Sequence, residues 1–315
     1  MKSLARGLVL FGLIVAACGP SVRGDGVLRI YTSVTQDTVD AVLAGFDPGI
    51  EVEVFRAPTG DIAARLATEE RQGGILADVL WLTDPLSIQQ YEADGLLEEW
   101  RPDNADALPA DLVTETFFGT RLLVVVAVQQ EESDAVRSWD DLAASGLADA
   151  VVVPDPGFAG SAFGAMGFFA LSDRFGFDFY RRLAGHGATQ VSSPGDVIAG
   201  VAEGRFVAGM TLDGPARSAV ANGAPIEIVY PEPGGIAIYS PVAVVVDGDR
   251  EAARAFVEHV LSIDGQTAVA ATGWQPVRSE VAWAEESGPL VFPDWSALFD
   301  RQSELMDEYR SIFPG

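Results

Sequence analysis

After Lys2 the chain contains no lysine, and it holds one cysteine and two histidines. A single cysteine excludes an internal disulfide framework and any metal site built on several cysteines. His186 and His259 do not form a His-x-x-x-His spacing, so the paired-histidine helix of zinc peptidases is absent. Without a second lysine the chain cannot complete the phosphate loop of nucleotide hydrolases. Basic residues are scarce altogether. Removing Lys2 and Arg6 from the 20 basic residues leaves 18 arginines against 46 acidic groups, a net −28. A surface of that sign repels nucleic acid and anionic lipid alike. Acidity of this kind serves solubility and says little about a ligand. Beyond residue 17 no apolar run is long enough and free enough of charge to span a bilayer.

The first residues do carry a targeting pattern. A short basic head, Met1 to Arg6, precedes the apolar run 7–17. That run falls short of the roughly 20 residues of a membrane span and fits the core of a secretory signal peptide. Val15-Ala16-Ala17-Cys18 resembles a lipobox. Residues 1–17 are therefore expected to be a lipoprotein signal, with Cys18 lipidated and 18–26 a polar, Gly-rich tether. An ordinary signal peptide that happens to include a cysteine is the alternative. The expected location is extracytoplasmic, held to the membrane by the acyl anchor.

The remainder is long enough for one large or two medium domains, and 48% of the whole chain is apolar with a mean hydropathy of +0.20. Strand-like runs fall at 27–31, 50–55, 78–82, 121–128, 150–154, 206–211, 226–230 and 240–246. Helical periodicity separates most of them: Val39, Val42, Leu43 and Phe46 share one face in 36–46, as do Ala253, Phe256, Val257, Val260 and Leu261 in 250–262. The alternation predicts an α/β fold with largely parallel sheets. The two Val-rich runs near 121–128 and 238–246 are candidates for strands crossing between two lobes. Residues 27–121 with 247–315 would then form one discontinuous lobe, and 128–237 the other.

Ligands in open α/β sheets bind at the carboxyl ends of strands, against the helix starts that follow. The candidate ligand-binding residues sit at such junctions: Ser33 and Thr35 after the first strand, Thr59 and Gly60 before the helix at 61–72, and Thr83 after the third. Gly160, Ser161 and Ala162 open the helix at 162–173, and Asp213 follows the strand at 206–211. Ser, Thr and Asp are also the ordinary N-caps, so each alone has a structural reading. Their convergence favours a polar or anionic ligand. Gly160 permits close backbone approach, and the Ser161 hydroxyl adds a donor. Tyr31, Trp81 and Tyr239 stand near strand ends, where they either line the cleft or belong to the core.

These residues resemble a known family. Leu28-Arg29-Ile30-Tyr31-Thr32-Ser33, Thr59-Gly60-Asp61, Ala77 to Trp81, Ser138 to Leu142, Ile238 to Ala243 and Asp264-Gly265-Gln266, in this order behind a lipobox, resemble solute-binding proteins of ABC importers in the Fe(III)-transport-like branch. The resemblance covers about residues 28–277. It implies a two-lobed type 2 periplasmic binding protein fold: two Rossmann-like lobes joined by a two-strand hinge, closing over one small molecule. It also implies partnership with a membrane permease and its ATPase subunits, and a monomeric chain. Iron-binding members of the branch use a His, a Glu and a Tyr pair. This chain carries Thr35, Thr83 and Asp213-Gly214 at the matching places. Ferric iron prefers anionic oxygen ligands, which threonine does not supply. Members of this branch that take organophosphonates or sugar phosphates are the nearer analogy. There Gly160-Ser161-Ala162 would face the phosphoryl group and Asp213 a hydroxyl or ammonium group. Iron remains the alternative cargo, and no resident cofactor or metal is expected.

Nothing in the sequence supports catalysis. Ser161, in Gly160-Ser161-Ala162-Phe163-Gly164, stands one position off the Gly-x-Ser-x-Gly elbow of hydrolases. A phosphoester hydrolase is the catalytic alternative, and a structural surface lipoprotein the third.

Overall fold

The structure is a computed structural model and describes residues 26–246, 248–283 and 288–314. The expected signal segment, Cys18 and the tether up to residue 25 lie outside the described residues.

Eleven strands and eleven α-helices follow one another among the described residues. They are β1 (Val27–Thr32), α1 (Gln36–Leu43), β2 (Glu51–Arg56), α2 (Thr59–Arg71), β3 (Val79–Trp81), α3 (Pro85–Ala93), β4 (Phe117–Gln130), α4 (Trp139–Leu142), β5 (Val151–Pro154), α5 (Gly160–Leu171), α6 (Asp178–Gly185), β6 (Thr189–Val191), α7 (Pro194–Ala202), β7 (Ala208–Leu212), α8 (Asp213–Ala221), β8 (Ile226–Val229), β9 (Gly235–Val244), α9 (Arg250–Leu261), α10 (Ile263–Ala271), β10 (Gln275–Pro276), β11 (Leu290–Val291) and α11 (Trp295–Ile312). Local chemistry sets many boundaries. Asp84 caps α3 by accepting from the Ser87 amide at 2.9 Å, with Pro85 in the first turn. Ser193 with Pro194 does the same for α7, and Asp249 for α9. The apolar stripe of α9 read from the sequence is buried as a unit: Ala253, Phe256, Val257, Val260 and Leu261.

The strands form one path, β2-β1-β3-β9-β4-β7-β5-β6, with β8 and β10 also on β4 and β11 on β9. Its two flanks are parallel: β2-β1-β3 on one side and β7-β5-β6 on the other. The centre is not. β9 runs antiparallel to β3 and β4, and β4 antiparallel to β7 and β8. The largely parallel sheet expected from the alternation thus holds only at the flanks. The reason is connectivity: β4 carries the chain from one flank to the other and β9 brings it back, so the two crossing strands meet head to tail. β4, 14 residues long, extends well beyond the apolar run at 121–128, and β9 spans 10 residues. All 10 residues of β9 and all but the last of the 14 in β4 are buried, as befits strands covered on both faces.

The ladder between β4 and β9 slips between Gly119 and Leu122. Such a bulge re-aims side chains locally, and Arg121 lies within it. On the second flank α5 has glycines where α11 crosses it. A Cβ on Gly167 would overlap the Leu298 side chain, and one on Gly164 would come within 2.9 Å of the Trp295 ring. α11 packs against α3 as well as α5 and α6, so it touches helices of both flanks.

Candidate solute-binding cleft

The strand ends of both flanks open toward a cleft between them. Part of it is a cavity of about 330 Å³ lined by Thr59, Gly60, Asp84, Ser87, Gly160 and Phe163, among others. Thr59 and Gly60 begin α2, Asp84 caps α3, and Gly160 begins α5 from the opposite flank. Gly160 fits closely: a Cβ there would stand 3.3 Å from Asp84 Oδ2. Asp84 is buried, and its carboxylate accepts from the Ser87 amide and from the Ser87 hydroxyl at 3.0 Å. Burial raises its pKa above the ordinary carboxyl value, against the opposing hydrogen bonds from Ser87.

One residue before Asp84, the Thr83 hydroxyl lies 3.2 Å from that of Ser33. Two residues beyond Ser33 a second hydroxyl group begins. Thr35 Oγ1 lies 3.0 Å from Thr38 Oγ1, and Thr38 Oγ1 lies 2.9 Å from Thr272 Oγ1. Arg121 donates to this group from Nη1, at 3.3 Å from Thr38 Oγ1, and from Nε to Ser240 Oγ at 3.0 Å. Its guanidinium carbon lies 4.3 Å from the centre of the Trp274 ring. Arg121 is only 1% exposed. Its side-chain hydrogen bonds go to neutral hydroxyls, Thr38 and Ser240, and among the described residues no ion pair holds it; the one charge that acts on it is that of Asp37. Burial pushes its pKa down to about 9, partly offset by the charge of Asp37. It is still a cation at neutral pH.

The remaining sequence candidates divide. Ser161 is half-buried in the first turn of α5, beside the buried Ala162. Asp213 is buried and has internal partners. Its carboxylate accepts from the Gly214 amide at 2.7 Å and from the Tyr230 hydroxyl at 3.1 Å, with Arg217 Nε 3.7 Å away. Burial still raises its pKa despite those partners. Tyr239 is 3% exposed and packs edge-on against Trp295 at 6.0 Å. Tyr31 donates to Glu69 at 2.6 Å, and Trp81 donates from Nε1 to Thr120 at 2.9 Å. Those three aromatics hold the core. Neither histidine approaches the cleft groups: His259 contacts the Val42 carbonyl and His186 that of Ala143.

Sequence reasoning missed Arg121, Thr38, Ser240, Thr272 and Trp274 as site residues. For Arg121 a signal existed. It is the only charged residue in the 14 residues of β4, and a charge inside an otherwise apolar strand asks for a partner or a ligand.

The comparisons with known proteins agree with this architecture. The family model for bacterial extracellular solute-binding proteins matches residues 28–275. The chain belongs to that family. Among solved structures it is similar to the periplasmic binding protein AfuA from Actinobacillus pleuropneumoniae, determined with exogenous fructose-6-phosphate bound. The TM-score is 0.77 at 20% identity, over 91% of this chain and 98% of the other. It is equally similar in fold to a ferric binding protein from Campylobacter jejuni, with a TM-score of 0.78, 17% identity, and 90% and 99% coverage. A protein of Haemophilus influenzae described as uncharacterized is 24% identical over 290 residues, 84% of this chain and 80% of the relative. The fold is thus the two-lobed type 2 periplasmic binding fold.

Proposed function

We propose that this solute-binding protein captures a small organic anion, of the sugar-phosphate or organophosphonate class, and delivers it to the permease of an ABC importer. Arg121 carries the reading. A buried guanidinium without a carboxylate partner is costly unless something anionic completes it. The hydroxyls of Thr35, Thr38, Thr272 and Ser240 around it suit the oxygens of a phosphoryl group. The sequence alone favoured the start of α5 as the phosphoryl seat. The Asp84 carboxylate beside Gly160 argues against a second negative charge there. We therefore place the anionic end of the solute at Arg121, and its hydroxyl or ammonium groups toward Ser33, Thr83 and Asp84.

A ferric binding protein shares the fold, but the residues of this chain do not favour iron. The described residues contain no group of three or more His, Cys, Asp or Glu side chains placed to hold a metal, and Thr35 and Thr83 are neutral. The chain acts by binding rather than catalysis, as a monomer anchored through Cys18.

A thermal-shift screen of residues 19–315 tests the reading, with phosphate, fructose 6-phosphate, aminoalkylphosphonates and ferric citrate. A ligand at 100 times its Kd adds about 2.7 kcal/mol, a shift of a few degrees for a chain of this size. Stabilisation by a phosphoryl compound, lost in Arg121→Ala, is the expected result. Stabilisation by ferric citrate alone would overturn it.

A further inference from the structure

Besides Gly160 against Asp84, a second glycine brings the two flanks together. Gly214 lies in the first turn of α8, in ordinary helical backbone, so conformation does not demand glycine there. Space does. A Cβ on Gly214 would stand 3.1 Å from the Gly273 carbonyl oxygen and 3.4 Å from Cε3 and Cζ3 of Trp274. Gly273 and Trp274 follow α10, which packs with α1 and α9 on the first flank, while α8 follows β7 on the second. Trp274 is 8% exposed. Its six-membered edge meets Gly214, and its face carries the Arg121 guanidinium.

We propose that Trp274 is the closure contact of the cleft. Its ring docks on the bare backbone of Gly214 as the lobes meet, and the same ring positions Arg121 for the solute. The positioning half rests on the reading of Arg121 given above, whereas the docking half does not. Solute binding and closure are then coupled through one side chain. A solute held by Arg121 favours the arrangement in which Trp274 is flat against the cation and capped by α8, and this differential preference is what shifts an open–closed equilibrium. Trp274 is a positioning residue. It orients the binding group and reads the approach of the second lobe.

The test compares wild type with Gly214→Ala, Gly214→Val and Trp274→Phe, first without solute. Gly214→Val should shift tryptophan emission to longer wavelength and enlarge the radius of gyration measured by X-ray scattering. The emission change should vanish in the Trp274→Phe background. Gly214→Ala needs a displacement of only a few tenths of an ångström and should show a smaller effect. Its melting temperature should match or exceed wild type, because alanine favours helix over glycine, and this separates lost closure from lost folding. With inorganic phosphate and fructose 6-phosphate as probes, Gly214→Val and Trp274→Phe should each bind at least roughly tenfold more weakly than wild type. Emission and radius unchanged in solute-free Gly214→Val would overturn the closure contact. Full affinity in Trp274→Phe would overturn the positioning role. If neither anion binds wild type, the anion reading fails, and the solute-free measurements still decide the closure contact.

Discussion

Arg121 Nε donates to Ser240 Oγ at 3.0 Å, joining the two crossing strands β4 and β9. The bond ties a buried cation to a buried neutral partner. Replacing Arg121 by methionine should therefore separate binding from stability. Truncating a buried charged contact to a ligand costs about 3 kcal/mol, roughly 100-fold in affinity. A buried charge without a carboxylate partner contributes little to folding, and an apolar residue of similar volume is often neutral or stabilising. Arg121→Met is expected to lose fructose 6-phosphate or phosphonate binding by calorimetry while its solute-free urea midpoint holds or rises. A large drop in the midpoint would mean that the guanidinium serves the fold.

Asp213 is expected to behave in the opposite way. Its carboxylate takes the Gly214 amide and the Tyr230 hydroxyl, and Tyr230 in turn accepts from Arg217 at 2.7 Å. Asp213→Ala removes the acceptor from two of these groups at a site that is 4% exposed. Each buried group left unsatisfied costs about 1–3 kcal/mol. The variant should lose roughly 2–4 kcal/mol of unfolding free energy and keep its solute affinity at temperatures where it is folded. A selective loss of affinity at unchanged stability would return Asp213 to the binding site.

The contrast between these two residues shows what the sequence reveals and what it conceals. Element order, the two crossing strands and the polar strand ends are legible because periodicity and capping chemistry are local. The Ser33–Thr83 pair follows from that reading, since both residues end neighbouring parallel strands. The antiparallel centre is not legible, because strand direction depends on how β9 returns beside β4. Asp213 reads as a ligand group from its strand end, and its contact with Tyr230, 17 residues away, is invisible to a local reading. Arg121 and Trp274, 153 positions apart, meet only through the pairing of β10 with β4. No local rule joins them. The lone charge in β4 was visible, but its surroundings were not.

The enclosed Asp84 predicts a pH effect of unusual sign. Burial raises its folded-state pKa above the reference value of 3.8. The folded protein therefore holds the Asp84 proton more tightly than the unfolded chain does. Above the folded pKa the ionised carboxylate destabilises the fold. That cost is relieved as pH falls through the folded pKa and is gone below about 3.8. Asparagine caps helices as well as aspartate does, so Asp84→Asn keeps the first turn of α3 while removing the charge. At pH 7 the variant should be as stable as wild type or more so. Its advantage should shrink as pH falls, in urea titrations run from pH 7 to pH 4. An Asp84→Asn variant less stable than wild type at pH 7, with the gap closing on acidification, would show instead that the ionised carboxylate stabilises the contact with Gly160.

The seat of α11 on α5 yields a prediction in which two effects oppose each other. Gly167 is a poor helix residue, and alanine in its place would favour α5 by about 1 kcal/mol on propensity alone. The Leu298 side chain, however, fills the space that a Cβ would need. Leu298 is wholly buried, and Trp295 on the same helix leans on Gly164. Overpacking a filled contact costs about 1–3 kcal/mol, so packing should win, and Gly167→Ala should lower the urea midpoint despite the better helix former. Leu298→Ala alone should cost about 2–5 kcal/mol by leaving a cavity. Combined with Gly167→Ala, it makes room for the new methyl group, and the double variant should be less destabilised than the sum of the two. Measured double-mutant coupling is the deciding quantity. Strict additivity would mean that α11 does not rest on the glycine face of α5.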